Sequence, residues 1–439
     1  MQITENGGVV SRLLAPVEIP RMFRVRQNFP RPVIAAKDIP EAIREQLTQP
    51  LFAQKLRPGM HVAVTAGSRG IANVAVITRA VVDFVRSRGA EPFIVPAMGS
   101  HGGATAEGQL GILAGYGITP EAMGCEIRSS METVFLGLSA TGKPVYIDKN
   151  AYESDGIILS CRLKPHNAFR GPYESGPCKM MAVGMGKQKG AETCHSDGMG
   201  RIGEHIPAIA KVILEKAPIL FAIPCMENAY DETCRFEAID AGDILAREPE
   251  LLREAFGYMP RILVDEADVL IVDEIGKNYS GTGVDPNVTG TFSTEFAHGG
   301  LKVQRTCFLD LSEASHGNAL GVGLANAITR RLFDKMDLNA MYPNCITSTV
   351  LASARIPCIV STDREAVQLC IRTANGIDKS PEKLRIVRIP NSLHIGQIQL
   401  SEAYYADALA GRWEHLEVLD APERLAFSTA GELLTPTVL

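Results

Sequence analysis

Apolar and polar positions fall into blocks along this chain, and the blocks recur in a fixed order. Residues 61–65 (HVAVT) form a short apolar run that ends in small, polar and cationic residues, AGSRG. The stretch IANVAVITRAVVDFVRSRG follows, with Ile71, Val74, Ile77, Val81, Phe84 and Val85 at helical spacing and Gly89 as the stop. A second short apolar run, EPFIVPAM, ends in GSHGGAT. Strand, helix, strand is a βαβ unit, and a parallel sheet follows from it. A third run, DGIILSCRL at 155–163, leads directly into KPHNAFRG. The spacing predicts a helix over 205–217 (HIPAIAKVILEKA), and the run FAIPC after it continues the pattern. Residues 1–50, with prolines at 16, 20, 30, 32, 40 and 50, read as an extended lead-in.

The order restarts near PRILVDEADVLIVDEIG (260–276), which runs into a buried strand, LIVDEI. A loop rich in Gly, Asn, Asp and Thr follows, GKNYSGTGVDPNVTGT. VQRTCFLDL then predicts a strand, GNALGVGLANAITRRLFDKM a helix and PCIVSTD a strand. The fold class is therefore α/β, with two α/β domains, 1–260 and 261–439. The boundary falls between 255 and 270, at AFGYMPR. An active-site cleft between the domains is expected.

Composition narrows the function classes. A chain of 439 residues with 46% hydrophobic and 21% charged residues has the make-up of an ordinary globular protein of two domains. A net charge of −6 and the lack of any Lys/Arg-rich tract argue against a nucleic-acid partner. No apolar run reaches the length of a membrane span. The start, MQITENGGVVSRLL, lacks the basic region and apolar core of a signal peptide, so a cytoplasmic protein is expected. None of the ten cysteines forms a Cys-x-x-Cys pair, which argues against a disulfide framework or a zinc knuckle and favours small buried hydrophobes.

The polar loops after the apolar runs carry the candidate chemistry. In an open α/β sheet, ligands bind beyond the carboxyl ends of the strands. The loops with Arg69, His101 and His166 should converge there. His101 sits among Gly99, Gly102 and Gly103, which let a ligand approach the backbone. A histidine titrates near neutral pH, as a general acid/base needs, although a bare turn residue is the plainer reading. His166 holds the same position on the next strand. Arg69 in AGSRG suits an anion clamp, or is a solvated loop arginine. Lys179 in PCKMMAVGMG has apolar neighbours that would lower its pKa and make it nucleophilic. Lys187 and Lys189 read as solvating a loop or helix face. His195 is a weak metal-ligand candidate on its own. In the second half, Asp273, Glu274 and Asp285 flank Lys277 and Asn278, as an oxygen-ligand cation site or a polar rim would.

The order of these elements resembles the lactate racemase family of nickel-pincer enzymes. The resemblance rests on SRG in the first strand-end loop, GSHGG after the next strand, a PH motif opening a glycine-rich stretch, then a lysine and a later histidine. It is specific over about residues 60–200. It implies an N-terminal and a C-terminal α/β domain with the site in the cleft. It implies a nickel-pincer nucleotide (nickel pyridinium-3,5-bisthiocarboxylic acid mononucleotide) covalently attached at Lys179, with His195 completing the nickel coordination. His101 and His166 match the alternating acid/base pair. Arg69 matches the arginine of the first loop, near the substrate. Ser68, Gly102 and Gly103 fall in the cofactor-binding loops, and Lys277 matches a C-domain lysine near the substrate. The resemblance implies a small 2-hydroxy acid as substrate and cofactor-biosynthesis proteins as partners, and a homo-oligomer is compatible with it. Ala66 stands where the family has an acidic residue, and the His166–Lys179 segment is longer and carries Arg170 and Glu174. These departures leave the acid unspecified, with Arg170 a second cationic contact for a larger one. Two other readings stay open from the residues alone. One is a metal-dependent hydrolase or lyase using the same three histidines. The other is a non-catalytic anion- or nucleotide-binding protein.

Overall fold

The computed structural model describes residues 7–68 and 70–438. The chain forms two compact α/β units, Pro30–Met259 and Met1–Phe29 with Pro260–Leu439.

In the unit Pro30–Met259, four parallel strands lie in the order Glu91–Pro96, His61–Ala66, Gly156–Arg162, Ile219–Glu227. Thr233–Phe236 and Ile239–Asp240 add antiparallel to the Ile219 strand. The parallel strands are buried almost end to end, as expected of a sheet covered on both faces. Val62, Val64, Ile94, Ile158, Phe221 and Ile223 share one core with the helix Val74–Ser87, whose Ile77, Val81 and Val85 face inward at helical spacing. The predicted 205–217 helix is longer, Met199–Lys216. A hairpin of Thr133–Leu138 and Pro144–Asp148 has no counterpart in the sequence reading.

The unit containing Pro260–Leu439 is an eight-stranded mixed sheet. Cys358–Val360, Ala327–Thr329, Lys302–Leu311, Glu266–Ile275 and Ile386–Ile389 run parallel in that order. Gln397–Ser401, Met22–Gln27 and Leu416–Val418 continue it antiparallel.

Two expectations are corrected. Residues 1–50 are not an extended lead-in to the first domain. Met22–Gln27 is a strand of the second sheet, paired with Gln397–Ser401, because Phe23 and Val25 complete that unit's core. Ile39–Leu47 is a helix of the other unit, with Pro40 in its first turn and Ile39, Ile43 and Leu47 buried on one face. The second correction concerns GNALGVGLANAITRRLFDKM, which is a short 3₁₀ turn (Val322–Leu324), a strand (Ala327–Thr329) and one helical turn (Arg330–Asp334). Gly321 breaks the helix: its φ is +103°, and a Cβ there would lie 1.6 Å from the Thr282 carbonyl oxygen. All ten cysteines are free; Cys358 is exposed, Cys125 partly buried and the rest buried. Among the described residues no helix is long and apolar enough to cross a membrane.

Candidate active site

The parallel sheet of the Pro30–Met259 unit has a topological switch point. From the His61–Ala66 strand the chain crosses to one neighbour, Glu91–Pro96; from Gly156–Arg162 it crosses the other way, to Ile219–Glu227. The crevice beyond the carboxyl ends of the two central strands is where such sheets bind ligands. The loops carrying Ser68 and His166 start at those two ends.

The Ser68 hydroxyl is hydrogen-bonded to Nδ1 of His101, joining the first loop to the second. The Tyr116 hydroxyl donates to the Ser68 carbonyl at 3.0 Å and fixes that loop from behind. Arg69, the expected anion clamp, lies outside the described residues. His101 is half-buried and leads into the turn Gly102–Ala104. Gly102 serves the turn itself: at φ +67°, a Cβ there would sit 2.5 Å from the Gly108 backbone. Gly103, at φ +65°, has nothing within 4 Å of that position.

His166 opens the loop after Gly156–Arg162. Its backbone N–H donates to Glu174 Oε2 at 2.6 Å, and its Nδ1 accepts the Ala168 N–H at 3.1 Å. An N–H aimed at Nδ1 places the proton of the neutral ring on Nε2. Burial pushes the His166 pKa well below 6.5, and the nearby charges of Lys179, His195, Lys164 and Arg170 add to that. Glu174 is 1% exposed and also accepts the Gly171 N–H at 3.2 Å. Arg170, expected as a second cationic contact, also serves the loop. Its guanidinium donates to the His166 carbonyl at 2.7 Å and the Phe169 carbonyl at 3.1 Å, so it braces the loop from within.

Lys179 ends the helical turn Pro177–Lys179 and is followed by a π-helical stretch, Met180–Gly184, and the helix Lys187–His195. Such wide turns are frequent at functional sites. Gly184 lets this segment close on the His101 loop: its carbonyl accepts the Gly99 N–H at 3.0 Å, and a Cβ would lie 2.7 Å from the Ala97 carbonyl. Lys179 is half-buried, and its charge disfavours protonation of both His166 and His195. His195 bonds its Nδ1 to the Ala191 carbonyl at 2.6 Å, which fixes the proton on Nδ1 and leaves the lone pair on Nε2. The structure thus bonds Ser68 to His101, and sets Lys179 where its charge acts on both His166 and His195. Lys277 belongs to the other unit, where its Nζ donates to the Gly281 carbonyl at 2.6 Å and its N–H to Ser315 Oγ at 2.8 Å.

Buried polar residues that support these loops include two, Glu227 and Glu248, that were not singled out from sequence. Glu227, at the end of its strand, accepts the Ala72 N–H at 2.6 Å and pairs with Arg162 at 2.6 Å, holding the chain just after Arg69. Lys187 corrects the solvated-face reading: it is fully buried against Asp148 at 2.8 Å. Glu248, 1% exposed, accepts the Cys178 N–H at 2.8 Å, next to Lys179.

Burial pushes the Glu248 carboxyl up to about 7, against the Cys178 contacts that favour its charged form. The folded chain therefore keeps a proton that the unfolded chain releases from pH 4.5 upward. Stability falls as pH rises between 4.5 and about 7, then levels. Glu248→Gln removes that titration. Unfolding at pH 5 and pH 8 is expected to show the variant gaining on the wild type by up to about 3 kcal/mol as pH rises. Parallel pH profiles would contradict the assignment.

Residues 60–246 match a family described as a domain of unknown function, DUF362. No curated protein sequence matches the chain. Two solved structures share the fold. One is a Thermotoga maritima protein from a structural-genomics programme, at 13% identity and a TM-score of 0.51, covering 83% of this chain and 99% of that one. The other is the lactate racemase apoprotein from Thermoanaerobacterium thermosaccharolyticum, at 13% identity and a TM-score of 0.53, covering 84% of this chain and 94% of that one. The chain is thus similar in fold to a lactate racemase.

Proposed function

We propose that this protein is an isomerase that interconverts the stereoisomers of a 2-hydroxy acid, with a nickel-pincer nucleotide tethered at Lys179. The observation that carries the reading is that one loop-and-helix segment, 166–195, bears His166, Lys179 and His195, with His195 Nδ1 bonded to the Ala191 carbonyl so that the lone pair stays on Nε2. The similarity in fold to the lactate racemase apoprotein supports it.

The residues fit the group. Among the described residues no three His, Cys, Asp or Glu side chains are placed to hold a metal ion together. That disfavours a hydrolytic centre built from His101, His166 and His195, and suits a metal that arrives with its own donors and takes one imidazole. Lys179 would hold the group covalently, and His195 would ligate its nickel. Ser68, Gly102 and Gly103 belong to the two loops that would border it. When bound, the group would supply a hydride acceptor for the C2 hydrogen and a nickel ion, held by soft donors, that takes an imidazole as a further ligand.

The chain's own residues then handle the proton and the carboxylate. His101, its Nδ1 bonded to Ser68, would take the hydroxyl proton of one stereoisomer. His166 presents an N–H at Nε2 to the substrate oxygen, and the two histidines exchange roles for the other stereoisomer. Arg69 would clamp the carboxylate. Cofactor-building proteins follow as partners from this reading. Its test is whether Lys179 carries a covalent adduct and the protein carries nickel.

A further inference from the structure

Lys187 is an unusual residue for its place. It is fully buried and non-glycine, at a left-handed φ of +55°. A buried ammonium carries a large desolvation penalty, and an apolar side chain of similar volume would fill the space without it. Its Nζ meets three acceptors from three segments: the Pro96 carbonyl at 2.5 Å, Asp148 Oδ2 at 2.8 Å and Gln109 Oε1 at 3.4 Å. Asp148 would suffice if charge pairing were the whole purpose. The other two contacts lead elsewhere. Pro96 ends the strand before the His101 turn. Gln109, also fully buried, turns its Nε2 to the Gly99 carbonyl at 2.9 Å and the His101 carbonyl at 3.3 Å. Asp148 is fixed in turn, its N–H donating to the Met185 carbonyl at 2.7 Å and its Oδ1 accepting the Ala151 N–H at 2.9 Å.

We infer that Lys187 and Gln109 are positioning residues for His101, connecting the segment that carries Lys179 and His195 to the His101 turn through a buried polar chain. The inference rests on the reading of His101 as an acid/base residue. Gln109 is the link whose loss cuts the chain without stranding the Lys187–Asp148 pair. Its amide N–H groups hold two carbonyls of the turn, and the turn sets where the His101 ring meets Ser68.

The test is imidazole ¹⁵N NMR on the full-length protein at pH 7, with no substrate or cofactor added, comparing wild type, Gln109→Leu and Gln109→Glu. Gln109→Glu keeps an acceptor for Lys187 and loses the donor to the turn. Both variants are expected to displace the His101 ring resonances, which report its tautomer and the Ser68 bond, while those of His61 and His195 stay in place. A thermal melt establishes that each variant is folded. Should Gln109→Leu fail to fold, Gln109→Glu decides. Unmoved His101 resonances in a folded variant, or equal displacement of all three histidines, would overturn the inference. That result leaves the isomerase reading standing, because no turnover is measured; absence of turnover with any 2-hydroxy acid would sink that reading and leave the NMR result in place.

Discussion

Replacing His101 or His166 by asparagine is expected to lower the kcat of the cofactor-loaded protein by about 10²- to 10⁴-fold, the usual worth of a positioned acid/base. Both side chains are half-buried at loop positions, so the fold should survive either change. Both losses should appear in both directions, because each direction uses one histidine to take the hydroxyl proton and the other to return it. Enantiomers have equal free energy, so kcat/KM should fall equally from either one. Polarimetry of single-enantiomer lactate and larger 2-hydroxy acids measures this. The pH profile carries a second sign. Burial depresses His166, and the nearby Lys164 and Arg170 add to it, so its protonated form should accumulate only well below pH 6.5 and the acid limb should lie there. Wild-type turnover in either variant would remove that histidine from the reaction.

Lys187→Met is expected to give the largest loss of stability. Lys187 and Asp148 are both fully inaccessible to solvent, and the substitution leaves the Asp148 carboxylate buried with the Ala151 N–H as its remaining side-chain bond. Breaking such a pair costs about 3–5 kcal/mol, because the charge left behind is uncompensated. For a domain of this size that corresponds to a fall in Tm on the order of 10 °C. Adding Asp148→Asn should recover much of the loss, since the stranded charge goes with it. Thermal unfolding of the wild type and the two variants measures both steps. A double variant no more stable than Lys187→Met would attribute the loss to packing and not to charge.

The local order of strand, polar loop and helix was legible from residue 61 onward, because buried parallel strands read as short apolar runs and their loops as glycine, histidine and arginine. That reading placed His101 and His166 at strand ends, where the structure has them. What failed depended on distant partners. Nothing near Met22–Gln27 indicates that it pairs with Gln397–Ser401 at the far end of the chain. GNALGVGLANAITRR looked helical because small apolar residues satisfy helical spacing, while the close approach of Thr282 to Gly321 that breaks it is a tertiary fact. Lys187 looked like its exposed neighbours, and only the folded chain brings Asp148, Gln109 and Pro96 around it. Arg170 gave no sign in the sequence that its Nη1 would bond the His166 and Phe169 carbonyls of its own loop.

The central claim is the covalent anchor at Lys179. The measurement is a peptide-level mass spectrum of the protein purified from cells that make the pincer cofactor, with a metal analysis of the same sample. The account predicts an adduct on Lys179, about one nickel per chain, and loss of both in Lys179→Ala. An unmodified Lys179 in wild-type protein from such cells, with zinc or no nickel bound, would contradict it.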